Sequence, residues 1–148
     1  MSYDTIRLET EGDLALITLD RPEAMNAYTP KMCEELIAAL DAAEGMRDVG
    51  AIVVTGAGKA FCAGADLSAG AEAFNMIAAA RESGRLDDRD PKWRDTGGLL
   101  NLRIFRSAKP VVAAINGAAV GIGATMILPM DARVAAEGAK FALPFTRR

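Results

Sequence analysis

Val111-Val112-Ala113-Ala114-Ile115-Asn116-Gly117-Ala118-Ala119-Val120-Gly121-Ile122-Gly123 is the stretch whose reading decides the fold. It opens with a continuous apolar run that stops at Asn116-Gly117. The arrangement occurs earlier as well, where Ala51-Ile52-Val53-Val54-Thr55 ends in Gly56-Ala57-Gly58. A run without polar alternation suits a strand covered on both faces, so both segments read as buried strands of a largely parallel sheet. Each then passes through small residues and glycines toward a short helix, one beginning near Asp66 or Leu67, the other near Ile122 and running to about Pro129. The chain is expected to make one strand-turn-helix unit twice.

Working outward, Ile6-Arg7-Leu8 and Leu14-Ala15-Leu16-Ile17-Thr18-Leu19 flank Glu11-Gly12-Asp13, the pattern of a hairpin. Asp20-Arg21-Pro22-Glu23 breaks that pattern. Thr29 before Pro30 supplies an N-cap with proline at the first helical position, and Met32, Leu36, Ile37, Leu40 and Ala43 then recur on one face of a helix over 30–44. Residues 81–98 are polar and charged, and read as a loop or helical excursion over an otherwise continuous pattern. Residues 132–136 fit a further short strand, and Phe141 to Phe145 begins another element.

The composition limits the partners. The chain has 148 residues, 51% hydrophobic and 25% charged, with a net charge of −3, and its charges are interspersed rather than gathered into basic stripes. Nucleic acid is not expected as a partner. No apolar run approaches the roughly 18 residues that span a bilayer, and the N-terminal residues lack a signal-peptide pattern, so no membrane partner and a cytoplasmic location are expected. Cys33 and Cys62 form no CxxC and read as reduced, partly buried thiols. The sequence contains no histidine, which removes the commonest general base and a common metal ligand. No metal is expected.

The glycine turns admit several readings. A dinucleotide fingerprint fails at both, because Phe61 and Met126 occupy the third glycine position, and neither contains GxxxxGK followed by Ser or Thr. Glycine can simply permit a tight strand-to-helix connection. A small-residue turn at a helix start also presents free N–H groups and the positive end of the helix dipole, and two such turns can hold negative charge developing on a carbonyl oxygen.

Leu19-Asp20-Arg21-Pro22-Glu23-Ala24-Met25-Asn26-Ala27, Lys59-Ala60-Phe61-Cys62-Ala63-Gly64-Ala65-Asp66-Leu67 and Ala114-Ile115-Asn116-Gly117-Ala118-Ala119-Val120-Gly121-Ile122-Gly123 together resemble the enoyl-CoA hydratase/isomerase (crotonase) family. The resemblance implies an α/β fold, the ββα spiral of the ClpP/crotonase type, assembled as a homotrimer or hexamer. Its substrate is an acyl-coenzyme A thioester, with coenzyme A carried by the substrate and no separate cofactor. By motif matching, the backbone amides of Ala65 and Ile122 form the oxyanion hole. Met25, Ala27, Ala63, Gly64, Asp66, Leu67 and Gly121 line the coenzyme A path. Asp66 also suits the start of a helix, and Arg21 and Lys59 can either meet phosphates or remain solvated. Phe74, Met76, Ile77 and Trp93 would shape the acyl pocket or belong to the core.

Two positions depart from the hydratase pattern. The glutamates that place water in hydratases of this family correspond here to Thr125 and Phe145, neither of which is a general base. The pattern instead resembles the peroxisomal type of Δ3,Δ2-enoyl-CoA isomerase, whose single catalytic carboxylate lies several residues beyond the position of Phe145 and therefore past Arg148. Family members run on for roughly another hundred residues, so the chain is expected to be the N-terminal core without the C-terminal helical part. An acyl-coenzyme A binding protein without catalysis is the alternative. A serine peptidase of the same spiral type would require histidine, and Ser68 would be its only candidate nucleophile near the turn.

Overall fold

The computed structural model describes residues 2–68 and 94–145. The predicted hairpin forms from β1 (Ile6–Glu11) and β2 (Leu14–Leu19), antiparallel, with Leu8 opposite Ile17. Gly12 turns it at φ 60°, a left-handed conformation that favours glycine. β3 (Ala51–Gly56), β5 (Val111–Ile115) and β7 (Ala132–Ala135) extend the sheet in parallel, in the order β1-β2-β3-β5-β7. The largely parallel sheet expected from the apolar runs is present. Ile17, Leu19, Ile52 and Val111 are fully buried within it, each such side chain contributing roughly 1.5–3 kcal/mol by leaving water.

Helix α1 (Pro30–Gly45) covers this sheet, capped as expected by the Thr29 hydroxyl, which accepts from the Met32 amide at 3.1 Å. Met32, Leu36, Leu40 and Ala43 face the core, while Ile37 is half-buried against it. Glu35 lies on the buried face too. Its carboxylate accepts from the Asp4 amide at 2.9 Å, the Thr5 amide at 2.8 Å and the Thr5 hydroxyl at 2.6 Å, so the charge is satisfied where it is buried.

Three elements depart from the sequence expectation. Thr96, Gly97 and Gly98, expected in a polar loop, open helix α2 (Thr96–Phe105), with Asp95 as N-cap accepting from the Gly98 amide at 2.6 Å. Arg103 binds this helix to α1 through Asp41 at 2.6 Å and Glu44 at 2.8 Å, tertiary support that a charged, glycine-containing segment does not announce. Second, helix α3 spans only Ile122–Thr125, because Met126 to Pro129 continue as turns rather than helix. Third, Asp66 and Leu67 are not helical, and the rest of the helix expected there, past Ser68, lies outside the described residues.

A second sheet, which the sequence does not predict, joins β4 (Ala60–Cys62), β6 (Ala118–Val120) and β8 (Phe141–Ala142) in parallel. Its strands are two or three residues long, too short for a period to show. It stands beyond the carboxyl ends of β3 and β5, where each strand leads through a tight turn into β4 or β6. Gly56 and Gly117 make that approach possible, since a Cβ at Gly56 would stand 2.4 Å from the Ala60 carbonyl oxygen, and one at Gly117 2.1 Å from that of Lys59. Backbone packs directly on backbone here.

Candidate functional site

The strand β4 delivers the chain to Ala63-Gly64-Ala65-Asp66, which runs beside the 25–28 segment. The Ala63 amide donates to the Met25 carbonyl at 3.0 Å, the Tyr28 amide to the Gly64 carbonyl at 2.8 Å, and the Asp66 amide to the Tyr28 carbonyl at 2.9 Å. Tyr28 thus brackets Ala65 as a parallel bridge does, using the groups on either side of it. The Ala65 amide donates to no acceptor among the described residues, and Ala65 is exposed.

The strand β6 delivers the second turn. Gly121 adopts φ 55°, ψ −119°, its amide donates to the Ala142 carbonyl at 2.9 Å, and its carbonyl accepts from Ala124 at 3.0 Å and Thr125 at 2.9 Å. Ile122 is therefore the first residue of α3, a position whose N–H has no intrahelical partner. It too donates to no acceptor among the described residues.

The parallel pairing of β4 with β6 sets these turns side by side. Gly64, at φ 108°, lies so near the second turn that a Cβ on it would stand 3.3 Å from the Val120 carbonyl oxygen, and a Cβ on Gly121 would stand 3.9 Å from the Gly64 Cα. α3 is seated on β4 by Gly123, where a Cβ would be 2.3 Å from the Cys62 carbonyl oxygen. Two backbone donors without acceptors among the described residues thus lie on adjacent turns, an arrangement chemically able to hold an oxygen anion or a polarised carbonyl.

The other residues singled out from the sequence are distributed around these turns. Met25 adopts φ 50° and is 56% exposed, whereas Ala27 is half-buried with its carbonyl accepting from Arg21 Nη1 at 2.6 Å. Ala63 and Leu67 are half-buried and Gly64 is buried. Asp66 is committed within the protein: Oδ1 accepts from the Ser68 amide at 3.0 Å and Oδ2 pairs with Arg21 at 2.9 Å. Hydrogen bonding from Ser68, and then the Arg21 guanidinium, hold its carboxyl at about 2. Arg21 is accordingly not a solvated charge, while Lys59 is exposed on the turn between β3 and β4. The Thr125 hydroxyl donates to the Ile122 carbonyl at 3.3 Å. The Phe145 side chain is exposed, and Phe74, Met76, Ile77 and Trp93 lie outside the described residues.

Asn26 belongs to the first sequence motif, within the Met25 to Ala27 segment expected to line the coenzyme A path; its structural role here lies outside that expectation. It is fully buried at φ 55°; its Oδ1 accepts from the Arg21 amide at 2.9 Å, and its Nδ2 donates to the Ala57 and Ala60 carbonyls at 2.9 and 2.8 Å. Asn116 donates to the same Ala60 carbonyl at 3.3 Å and accepts from the Gly56 amide at 3.2 Å. The signal in the sequence is asparagine's tolerance of left-handed backbone, together with its supply of a donor and an acceptor on one short side chain. Below the first turn, Cys62 is fully buried and desolvation raises its thiol to about 11. Beside α3, Ala124, Ile127, Leu128, Phe141, Ala142 and Leu143 line an open apolar groove of about 350 Å³.

A largely parallel sheet of this order, with a smaller parallel sheet setting two glycine turns together at its carboxyl end, is the crotonase fold. The sequence profile of the enoyl-CoA hydratase/isomerase family matches residues 9–148, and the chain belongs to that family. It is 46% identical, over 148 residues, to a probable enoyl-CoA hydratase of Rhodobacter capsulatus, a match covering 99% of this chain and 52% of that protein. Among solved structures it is similar to an enoyl-CoA hydratase/isomerase from Xanthobacter autotrophicus, with TM-score 0.79 and 35% identity, covering 95% of this chain and 49% of that one. It is also similar to a monofunctional enoyl CoA isomerase from M. smegmatis, with TM-score 0.70 and 28% identity, covering 93% of this chain and 52% of that one. The chain spans about half the length of the curated relatives it matches. Among the described residues, no helix is long and apolar enough to cross a membrane.

Proposed function

We propose that this chain forms the thioester-binding part of an acyl-coenzyme A enzyme, in which the Ala65 and Ile122 amides donate to the carbonyl oxygen of an enoyl-CoA. The observation that carries this reading is the adjacency of the Gly64 and Gly121 turns, each followed by an amide with no acceptor among the described residues. Removing a proton from the α-carbon moves charge onto the thioester oxygen as an enolate, and fixed amides stabilise that charge without reorganising. Coenzyme A enters as part of the substrate, along the segment from Met25 to Ala27 and beside Ala63, Gly64, Leu67 and Gly121. In this reading Asp66 and Arg21, paired with each other, make no contact with the coenzyme.

Double-bond isomerisation is the reaction favoured over two-glutamate hydration. Thr125 and Phe145 carry no carboxylate, and the Thr125 hydroxyl is turned to the Ile122 carbonyl. One base shuttling a proton from the α- to the γ-carbon suffices for isomerisation, with a dienolate held on the two amides between steps. The resemblance also favours assembly as a trimer or hexamer, which sedimentation of the full-length protein would test.

The functional test is an assay of the full-length protein with 3-enoyl-CoA and 2-enoyl-CoA. Conversion of the 3-enoyl to the 2-enoyl thioester, without net uptake of water, is the expected result. Hydration of the 2-enoyl thioester as the main activity would overturn the isomerase reading. Tight binding of both thioesters with no turnover would replace the enzyme by an acyl-coenzyme A binding protein.

A further inference from the structure

Asp66 follows Ala65 directly, and its Oδ2 meets Arg21 Nη1 at 2.9 Å. The same Arg21 nitrogen donates to the Ala27 carbonyl at 2.6 Å, and the Arg21 amide donates to Asn26 Oδ1 at 2.9 Å. The two side chains are 23% and 16% exposed. A charge-assisted pair shielded to this degree, and tied to backbone at the Ala27 carbonyl and the Ser68 amide, is stronger and better oriented than a surface pair.

Its position gives it a task. The 25–28 and 63–66 segments are joined by single backbone hydrogen bonds at Met25, Gly64 and Tyr28, and they belong to no long strand that would keep them in register. Arg21 reaches across from the start of one segment to the end of the other.

We propose that Arg21 and Asp66 are positioning residues for the Ala65 amide: their ion pair clamps the 63–66 segment to the 25–28 segment, so that the peptide plane before Ala65 keeps its aim at a thioester carbonyl. The inference rests on the oxyanion reading of Ala65. It assigns Arg21 to the backbone of the site rather than to coenzyme phosphates. Because Ser68 and Arg21 hold the Asp66 carboxyl at about 2, the clamp stays charged throughout neutral and mildly acidic pH.

The test compares wild-type full-length protein with R21K, D66N and the double variant. Calorimetry measures binding of a saturated acyl-CoA thioester and of its thioether analogue, which lacks the carbonyl oxygen; thermal unfolding is followed in parallel. Wild type is expected to prefer the thioester by roughly threefold to tenfold, the net worth of an amide hydrogen bond. No preference in wild type would sink the oxyanion reading itself. Given a preference, each single variant is expected to lose most of it while binding the thioether within about twofold of wild type, and the double variant to lose no more than either single one. Variants that retain the wild-type preference, whatever their melting temperature, overturn the clamp. Equal loss of affinity for both ligands also overturns it, since Arg21 would then act on the coenzyme.

Discussion

Gly123 rests on the backbone of Cys62 so closely that a Cβ there would meet the Cys62 carbonyl oxygen at 2.3 Å and the Cys62 Cβ at 2.8 Å. The nearest obstacle is backbone, so no rotamer change relieves it, and the contact sets how near α3 comes to β4. Gly123→Ala is expected to destabilise the protein by about 2–3 kcal/mol, the cost of overpacking, and to lower acyl-coenzyme A affinity as the turns separate. Unchanged unfolding and binding would show that α3 moves freely off β4.

Ile122 separates backbone from side-chain chemistry. Proline is tolerated at the first position of a helix, where its missing N–H costs the helix nothing. Under the proposed oxyanion role, Ile122→Pro is expected to lower kcat/KM about a hundredfold, roughly 3 kcal/mol for one lost donor, whereas Ile122→Val stays near wild type. Steady-state kinetics on the full-length protein decide this, and equal activity of both variants would remove Ile122 from the site.

At Asn26 the side chain and the backbone angle matter separately. Asn26→Ala loses three hydrogen bonds, to the Arg21 amide and to the Ala57 and Ala60 carbonyls, of which only the Ala60 carbonyl keeps a second side-chain donor, Asn116. A loss of about 3 kcal/mol or more is expected by denaturant unfolding. Asn26→Gly removes the strain of a left-handed φ but none of that loss, so it should recover only about 1 kcal/mol.

Glu35 makes stability pH-dependent. Burial pushes its carboxyl up, but the Thr5 hydroxyl, the Asp4 and Thr5 amides and Lys31 outweigh that and hold it at about 2, below the usual range near 4.3. A depressed folded pKa means stability is fully present above the unfolded pKa and is lost as pH falls through the folded one. Wild type should weaken between about pH 5 and pH 2. Glu35→Gln should cost about 2 kcal/mol at neutral pH, a difference that shrinks across that window in urea titrations.

The two cysteines should be silent in the folded protein. Cys33 and Cys62 are buried, and desolvation raises both thiols, Cys62 to about 11. Little thiolate is present at neutral pH, so a thiol reagent is expected to label neither until denaturant is added. Rapid labelling of Cys62 under native conditions would show that β4 opens.

The strands β1, β2, β3, β5 and β7, the capped helix α1 and the two glycine turns were legible in the amino-acid sequence. Their signals are local: short hydrophobic patterns, a Thr-Pro cap, and small residues where backbone must approach backbone. The motif order also pointed to the family. Tertiary structure alone decided the rest. Strands of two or three residues in the second sheet exist because partners far along the chain complete their hydrogen bonds, and helix α2 begins in a polar stretch because Asp95 caps it and Arg103 fastens it to α1. The pairing of Arg21 with Asp66 belongs to the same class. In sequence each is an isolated charge beside a turn, and only the parallel approach of their two segments makes them one structural unit holding Ala65.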